Sequence, residues 1–196
     1  MGMNDEKVRK FIALAGQAVR EQFGTGNAEQ RKLGAHLLLS EVLEYVIDGL
    51  GVTPSVQGVA IKDPESVRYE VTEGVATDER AMLDGLADVA YTMYWNALTF
   101  GLPLDAAYEM VCDNNLEKFV PLGAWAERSD APFQLPREEW DCRLGVQWPV
   151  EVTQVQVVAY KGKLYGVGKD ARGKVRKPST YTSVDLTPLM SKEAEL

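Results

Sequence analysis

Four segments in the first 120 residues carry apolar side chains every three or four positions, the spacing that places them on one face of an α-helix. Gly, Pro and helix-capping residues separate the segments, as in short helices joined by tight turns. The pattern predicts helices over about 5–23, 28–51, 78–101 and 103–121. Asn27, with Gln30 three residues later, is predicted to cap the second helix. The sequence therefore favours a mainly α core.

The predicted core contains one short insertion with β character. β-prone runs at 56–61 and 67–71 flank the turn residues 62–65. This arrangement predicts a small β-hairpin within 54–72.

The chain after residue 120 has a different character. Residues 121–149 lose the helical period and contain Trp125, Trp140 and Trp148, which predicts an irregular segment lying against the helical body. A Val-rich run at 150–160, a Lys-Gly turn and a second run at 164–167 predict a β-hairpin. We therefore predict two parts: an all-α core at 1–120, and an irregular and β-hairpin extension at 121–196 packed on that core.

Charge and cysteine usage exclude several classes of protein. The net charge of -8 disfavours an electrostatic grip on nucleic acid, which relies on clustered Lys and Arg. Cys112 and Cys142 show no CxxC spacing, so the chain is expected to be reduced and cytoplasmic rather than disulfide-bonded or zinc-binding. The N-terminus lacks the apolar run of a signal peptide. The most apolar stretch, 87–104, contains Asp88 and is expected to be a helix buried on most sides, not a membrane span.

Two pairs of carboxylates are the main candidates for chemistry. Glu41 with Glu44, and Asp84 with Asp88, are three and four residues apart, so each pair lies on one stripe of its predicted helix. Like charges this close repel each other unless a cation neutralises them, and carboxylates are ligands of hard divalent metals. We expect Mg²⁺ or Mn²⁺ at these four residues. The alternative is that both pairs are solvated faces of surface helices.

Further polar residues follow on the predicted helices. Asn115 and Lys118 share one face of the fourth helix and suit a ligand with phosphate oxygens and a polar sugar or base edge, although the same pattern is common on exposed helices. Tyr91 and Trp95 continue the Asp84 stripe; core packing is expected, and flanking a nucleotide base is the alternative. The only histidine, His36, is expected to be an ordinary helix residue.

Three motifs occur in order on the predicted helices: residues 38–45 (LLSEVLEY), 84–91 (DGLADVAY) and 115–118 (NLEK). Together they resemble the all-α nucleoside triphosphate pyrophosphohydrolases, which include MazG-like and phosphoribosyl-ATP pyrophosphohydrolase-like enzymes. Residues 173–186 are also similar to the C-terminal ending of short bacteriophage members. Two positions depart from the family pattern, because Ser40 and Gly85 stand where many members have Glu.

The resemblance implies a fold, a reaction and a set of site residues. The fold would be mainly α, a MazG-like four-helix core with a small β-hairpin insertion and an appended β-containing C-terminal region. Glu41, Glu44, Asp84 and Asp88 would hold the metal, with Glu41 and Glu44 also catalytic, while Asn115 and Lys118 would bind substrate. A (d)NTP would be cleaved between its α and β phosphorus atoms to give (d)NMP and pyrophosphate.

The resemblance also implies assembly and a range of substrates. Family members form homo-oligomers, and a dimer or tetramer is expected here. The phage-like ending is similar to that of MazZ-type enzymes, which hydrolyse dGTP, although no residue selects guanine over other bases. The alternatives are a phosphoribosyl-ATP pyrophosphohydrolase and a non-catalytic helical module that binds nucleotide or metal. No membrane or nucleic-acid partner is expected, and a phage-encoded enzyme would act in the host cytoplasm.

Overall fold

The computed structural model describes residues 3–22, 24–123 and 131–190. The chain divides into two compact units, one comprising Gln22–Met82 and the other Met1–Glu21 with Leu83–Leu196. The predicted end of the first helix at Phe23 and the predicted packing of Trp125 lie outside the described residues.

The unit formed by 22–82 is built around helix α2, Ala28–Glu44. The predicted capping box at its start is confirmed, because the Asn27 side chain accepts from the Gln30 amide (2.9 Å) and the Gln30 side chain accepts from the Asn27 amide (3.1 Å). After Glu44 the helix widens into a π-helical turn, Tyr45–Gly49.

One side of α2 is covered by the segment that contains Glu65 and Tyr69. His36, Ser40 and Leu43 are the buried residues of this helix. His36 Nε2 lies 3.1 Å from Glu65 Oε2, and its ring meets Tyr69 edge-on at 5.6 Å between centroids. The only histidine is therefore a packing residue on the inner face of the helix.

The predicted pairing of 56–61 with 67–71 is wrong. Strand β1, Ser55–Val56, pairs instead with β2, Val59–Ala60, in an antiparallel hairpin. The chain reverses at Gln57 and Gly58, whose φ angles of +51° and +79° suit a two-residue hairpin turn. The expected turn residues 62–65 instead lead into a 3₁₀ turn at Pro64–Ser66, where the Asp63 side chain accepts from the Glu65 amide at 2.9 Å.

The second unit begins with helix α1, Met3–Leu14. It is shorter than predicted because Gly16 adopts a φ of +67°. The Gly16 and Gln17 amides donate to the carbonyls of Ala13 and Ile12, both at 3.0 Å, which satisfies the end of the helix.

Two further helices follow in this part of the chain, α3 at Glu79–Phe100 and α4 at Leu104–Leu116. Asp78 caps α3, since its carboxylate accepts from the amides of Arg80 (2.9 Å) and Ala81 (3.1 Å). α4 stops five residues before Pro121, and the chain turns into a strand.

A four-stranded antiparallel sheet forms the centre of this unit, in the order β3-β6-β5-β4. The strands are β3 at Val120–Pro121, β4 at Phe133–Gln134, β5 at Val152–Tyr160 and β6 at Lys163–Asp170. The predicted C-terminal hairpin is confirmed as the β5–β6 pair, which runs from Tyr160–Lys163 to Val152–Asp170. A last short helix, α5, spans Thr187–Met190.

The sheet is covered on both faces. Val155 and Val157 face one core with Leu122, Leu135 and Cys142, and Trp140 and Trp148 pack against it. The described part of the irregular segment therefore packs on the sheet. The prediction had placed it against the helices. Val158 and Val167 face a second core with Leu14 and Phe119, to which α1 contributes Phe11. The alternation of Val side chains between two faces explains why the run forms a strand.

Helix α3 is mostly uncovered, contrary to the expectation of a helix buried on most sides. Ala97 is its one buried residue, and nine of its large apolar side chains are exposed. They are Met82, Leu83, Leu86, Tyr91, Met93, Tyr94, Trp95, Leu98 and Phe100. A helix with this composition is normally covered by a neighbour.

The predicted fold class, a mainly α protein with a MazG-like four-helix core, is wrong. The chain has a mixed α/β fold with two small antiparallel sheets. α1 and α4 pack against each other, and α1 also packs on β5. The four predicted helices are present, but α1 and α4 bury apolar side chains against the sheet, whereas the apolar side chains of α3 are mostly exposed. Among the residues that the structure describes, no helix combines the length and apolar content needed to cross a membrane.

Candidate functional site

Glu41 and Glu44 lie in the last turn of α2, in the unit formed by 22–82, and both are exposed. Ser40 and Leu43, at the same end of this helix, are buried and hold it in place. The two carboxylates therefore project from a fixed backbone into solvent. The π-helical turn begins directly after Glu44, and such turns are frequent at functional sites.

Asp84 and Asp88 lie one turn apart on α3 and are also exposed. Tyr91 and Trp95 continue their stripe with 70% and 53% of their surfaces exposed, so the expectation that both pack in the core is wrong. Solvation lowers the cost of placing two acids on this helix, and the repulsion argument for a neutralising cation is weaker than the sequence suggested. The stripe itself combines two carboxylates with two aromatic faces.

Ser40 and Gly85, which depart from the motifs of the resembling enzymes, differ in structure. Ser40 is fully buried, and its hydroxyl donates to the Leu37 carbonyl at 3.4 Å. Gly85 is exposed, and a Cβ built there would meet no atom of the described residues within 4 Å. The structure therefore has no solvent-facing functional group at either position.

Asn115 and Lys118 lie at the end of α4 and in the turn after it, both half-buried. Lys118 Nζ sits 5.8 Å from the centroid of the Phe11 ring, so the side chain packs toward α1. The neighbouring Asn114 is the buried amide: it donates to the Thr182 carbonyl at 2.7 Å and accepts from the Tyr181 hydroxyl. Asn114 thus ties the C-terminal segment to α4. Sequence reasoning missed it because its partners are more than 60 residues away.

The six predicted site residues are distributed over both units. Glu41 and Glu44 belong to one unit, while Asp84, Asp88, Asn115 and Lys118 belong to the other. Within the second unit α4 packs on α1, and the Tyr94 hydroxyl of α3 donates to Asp105 of α4 at 3.1 Å. Among the described residues, no three His, Cys, Asp or Glu side chains form a group that could hold a metal ion. A single site made of all six residues stays a prediction.

A cleft of about 470 Å³ opens within the unit formed by 22–82. α2 supplies Arg31 and Lys32 to its lining, and the segment after the 3₁₀ turn supplies Arg68 and Glu70. Three cations therefore face one carboxylate in a chain whose net charge is -8. The remaining lining is Ala35, Tyr69, Val71, Thr72, Val75, Ala76 and Thr77.

Neither arginine of the cleft forms an ion pair within the described chain. Arg31 Nη1 donates to the Gly26 carbonyl at 2.8 Å, which positions the guanidinium without neutralising it. Lys32, by contrast, pairs with Glu29 at 2.6 Å. Within the described chain Arg68 has no hydrogen bond or ion pair. The sequence signal for this site is the basic pair Arg31-Lys32 in an acidic protein.

Burial changes the pKa of three groups that lie outside the predicted site. It lowers the pKa of the Lys169 ammonium and raises the pKa of the Cys142 thiol to about 11, with a smaller contribution from Asp141. Burial, and then the charge of Glu117, raises the pKa of Tyr181. Cys112 and Cys142 are both buried, and no disulfide joins them. A thiol with a raised pKa is a poor nucleophile at neutral pH, so Cys142 is a packing residue.

Comparisons with known proteins add no further constraint on the site. The chain matches no protein-family model, and neither the curated proteins nor the solved structures include a match to it.

Proposed function

We propose that this protein is a metal-dependent (d)NTP pyrophosphohydrolase that cleaves the α–β phosphoanhydride to give a (d)NMP and pyrophosphate. One observation carries the proposal. Glu41, Asp84 and Asp88 are exposed on helices, in the motif order of the resembling enzymes, and none has a cationic partner within the described chain. Such carboxylates are available to a ligand that brings its own cations.

The donor set suits the expected metal. Carboxylate oxygens are the ligands that Mg²⁺ and Mn²⁺ prefer, and the helices hold each pair at a fixed spacing. When bound, Mg²⁺ or Mn²⁺ would neutralise the triphosphate and lower the pKa of the attacking water. One of the two carboxylates Glu41 and Glu44 would accept the proton of that water, and the other would help to hold the metal. Asp84 and Asp88 would orient the phosphates, and Tyr91 or Trp95 would stack on the base.

Asn115 and Lys118 are assigned to substrate in the same proposal. The Lys118 ammonium would balance phosphate charge, and the Asn115 amide would hydrogen-bond a sugar or phosphate oxygen. dGTP is the first substrate to try, because of the phage-like ending, and the enzyme would act in the cytoplasm, or in the host cytoplasm if phage-encoded. The reduced, buried state of both cysteines agrees with that compartment.

We further propose that the working form is a homo-oligomer, a dimer in the first instance. Six of the exposed side chains of α3, including Leu83, Leu86 and Leu98, spread over one side of the helix and offer on the order of 600 Å² of apolar surface. This is most of the roughly 800 Å² that one partner buries in a standard interface. A two-fold axis through α3 would cover this face with its own copy and leave Asp84 and Asp88 at the edge.

The test is to incubate the protein with each dNTP and NTP plus Mg²⁺ or Mn²⁺ and to measure pyrophosphate. Asp88→Asn and Glu44→Gln are expected to abolish release while the helical circular dichroism stays unchanged. Glu79→Gln, another exposed acid of α3, is the matched control and should retain activity. No pyrophosphate from any nucleotide would refute the proposal, and orthophosphate would mean that a different bond is cleaved.

The non-catalytic alternative keeps one specific observation in its favour. The Ser40 hydroxyl is buried and Gly85 has no side chain, so two positions that carry Glu in many related enzymes offer no carboxylate here. Nucleotide binding that depends on Asp88 but releases no pyrophosphate would identify a binding module.

A further inference from the structure

The cationic cleft of the unit formed by 22–82 has the chemistry of a phosphate site. Arg31 and Arg68 form no ion pair within the described chain, and Glu70 is the one carboxylate among the lining residues, against three cations. Guanidinium groups bind phosphate oxygens through paired hydrogen bonds. Arg31 is held in place by its bond to the Gly26 carbonyl. An anion entering the cleft would therefore meet at least one pre-oriented donor.

The rest of the cleft suits an organic group attached to the phosphate. Tyr69, Val71 and Val75 line it, and Thr72 and Thr77 add two hydroxyls. A volume of about 470 Å³ lies within the range of small-ligand sites. An inorganic anion would contact only the basic side chains of the lining, whereas a nucleotide would also contact the apolar side chains.

The cleft is distinct from the carboxylates of the same unit. Arg31, Lys32 and Ala35 lie on one side of α2, while at 100° per residue Glu41 and Glu44 project from roughly the opposite side. Along the helix axis the two groups are separated by about 9 to 20 Å, given a rise of 1.5 Å per residue. A nucleotide in the cleft would not have its phosphates at Glu41 and Glu44.

We propose that this cleft binds a nucleoside phosphate, with the phosphates on Arg31 and Arg68 and the nucleoside on the wall formed by Tyr69, Val71 and Val75. Binding there needs no divalent metal, because the charge comes from the arginines. The site does not depend on the proposed hydrolysis.

Calorimetric titration with ADP in EDTA tests this site alone. ADP is expected to bind and adenosine not to bind. Arg68→Gln should weaken ADP binding roughly tenfold or more, because charge-assisted hydrogen bonds to phosphate are lost. Arg80→Gln removes an exposed arginine of the same unit that does not line the cleft, and it should leave binding unchanged. Asp88→Asn should also have no effect, which separates this result from the outcome of the pyrophosphate assay.

Three results would overturn the proposal. They are no binding of ADP to the unsubstituted protein, equal loss of affinity in Arg68→Gln and Arg80→Gln, and adenosine binding as tightly as ADP. Arg68 is exposed, so its substitution is not expected to disturb the fold, and an unchanged melting temperature of Arg68→Gln checks this.

Discussion

Gly85 is a residue of α3 that lowers the stability of the helix without any packing role. It lies inside the helix, it is exposed, and the space where a Cβ would stand is empty. Glycine in a helix costs roughly 0.5–1 kcal/mol relative to alanine, mainly through the freedom of the unfolded chain. The helix therefore tolerates an unfavourable residue at a position between two of its acids.

Gly85→Ala is expected to raise the free energy of unfolding by about 0.5–1 kcal/mol, measured by urea denaturation. Gly101→Ala is the opposing control, because Gly101 ends α3 with a φ of +66° and should lose stability on substitution. A loss of stability in Gly85→Ala would mean that another group approaches this face of the helix.

Lys169 is the second residue with a testable energetic role. It is 9% exposed, and its ammonium donates to Gln156 Oε1 at 3.2 Å, with no carboxylate bound to it in the described chain. Burial lowers the pKa of Lys169 below its ordinary value of 10.5. The folded state therefore carries the cost of a buried charge at every pH below that lowered pKa.

Lys169→Met is expected to stabilise the protein at neutral pH by on the order of 1 kcal/mol. As pH rises through the lowered pKa toward 10.5, the folded state loses its proton first. The unfolded state then binds more protons, so the stability of the parent protein rises with pH. Urea denaturation over this range should show that rise in the parent protein and its absence in Lys169→Met; the same slope in both would contradict the assignment.

Whole elements were predictable where the signal is local. The capping box at Asn27, the extent of α3 and the Lys161-Gly162 hairpin depend on residues close in sequence, and the structure confirms them. The first hairpin was misplaced because both Gln57-Gly58 and Asp63-Pro64 are turn sequences, and only the former carries a hairpin. The packing of elements on distant partners was not predictable. The part of the sheet that covers α1 and α4, for example, comes from strands more than 30 residues later in the chain.

The same distinction holds for the candidate sites. The spacing within each acid pair follows from one helix and could be read from sequence. The cleft joins Arg31 to Arg68 across the hairpin, and the Asn114–Tyr181 bond joins α4 to the C-terminal segment. Neither pairing leaves a periodic signal in a single sequence.

Strand β6 depends on the absence of side chains at two positions. A Cβ at Gly168 would lie 2.4 Å from the Trp148 ring, and one at Gly166 would lie 2.8 Å from Cys142 Sγ. The Trp148 indole also donates to the Trp140 carbonyl at 2.8 Å, so the ring cannot shift without losing this bond. The irregular segment packs on the sheet because these glycines admit it.

Gly168→Ala is expected to lower the free energy of unfolding by about 1–3 kcal/mol through overpacking against Trp148. Gly123→Ala, where no atom of the described residues lies within 4 Å of the added Cβ, should change it by less than about 0.5 kcal/mol. Thermal or urea unfolding of both variants measures the difference, and equal effects would show that Trp148 moves freely.

At the scale of the whole molecule, the exposed side of α3 is the feature that the fold leaves unexplained. A single chain rarely exposes a continuous apolar surface of several hundred Å² unless another molecule covers it. The charged residues Asp84 and Asp88 lie at the margin of this side rather than across it, so pairing two copies would not bring four carboxylates into contact.

Leu98→Arg is expected to weaken the proposed dimer roughly a hundredfold, because a charge would be buried in its interface. Leu98 is 82% exposed within one chain, so the fold of the subunit should not change. Sedimentation equilibrium of the parent protein and the variant measures the association. Val150→Arg, at a residue that is 95% exposed outside α3, is the control and should assemble normally. A parent protein that stays monomeric at micromolar concentration would contradict the proposed dimer. A Leu98→Arg variant that still forms dimers would contradict an interface at α3.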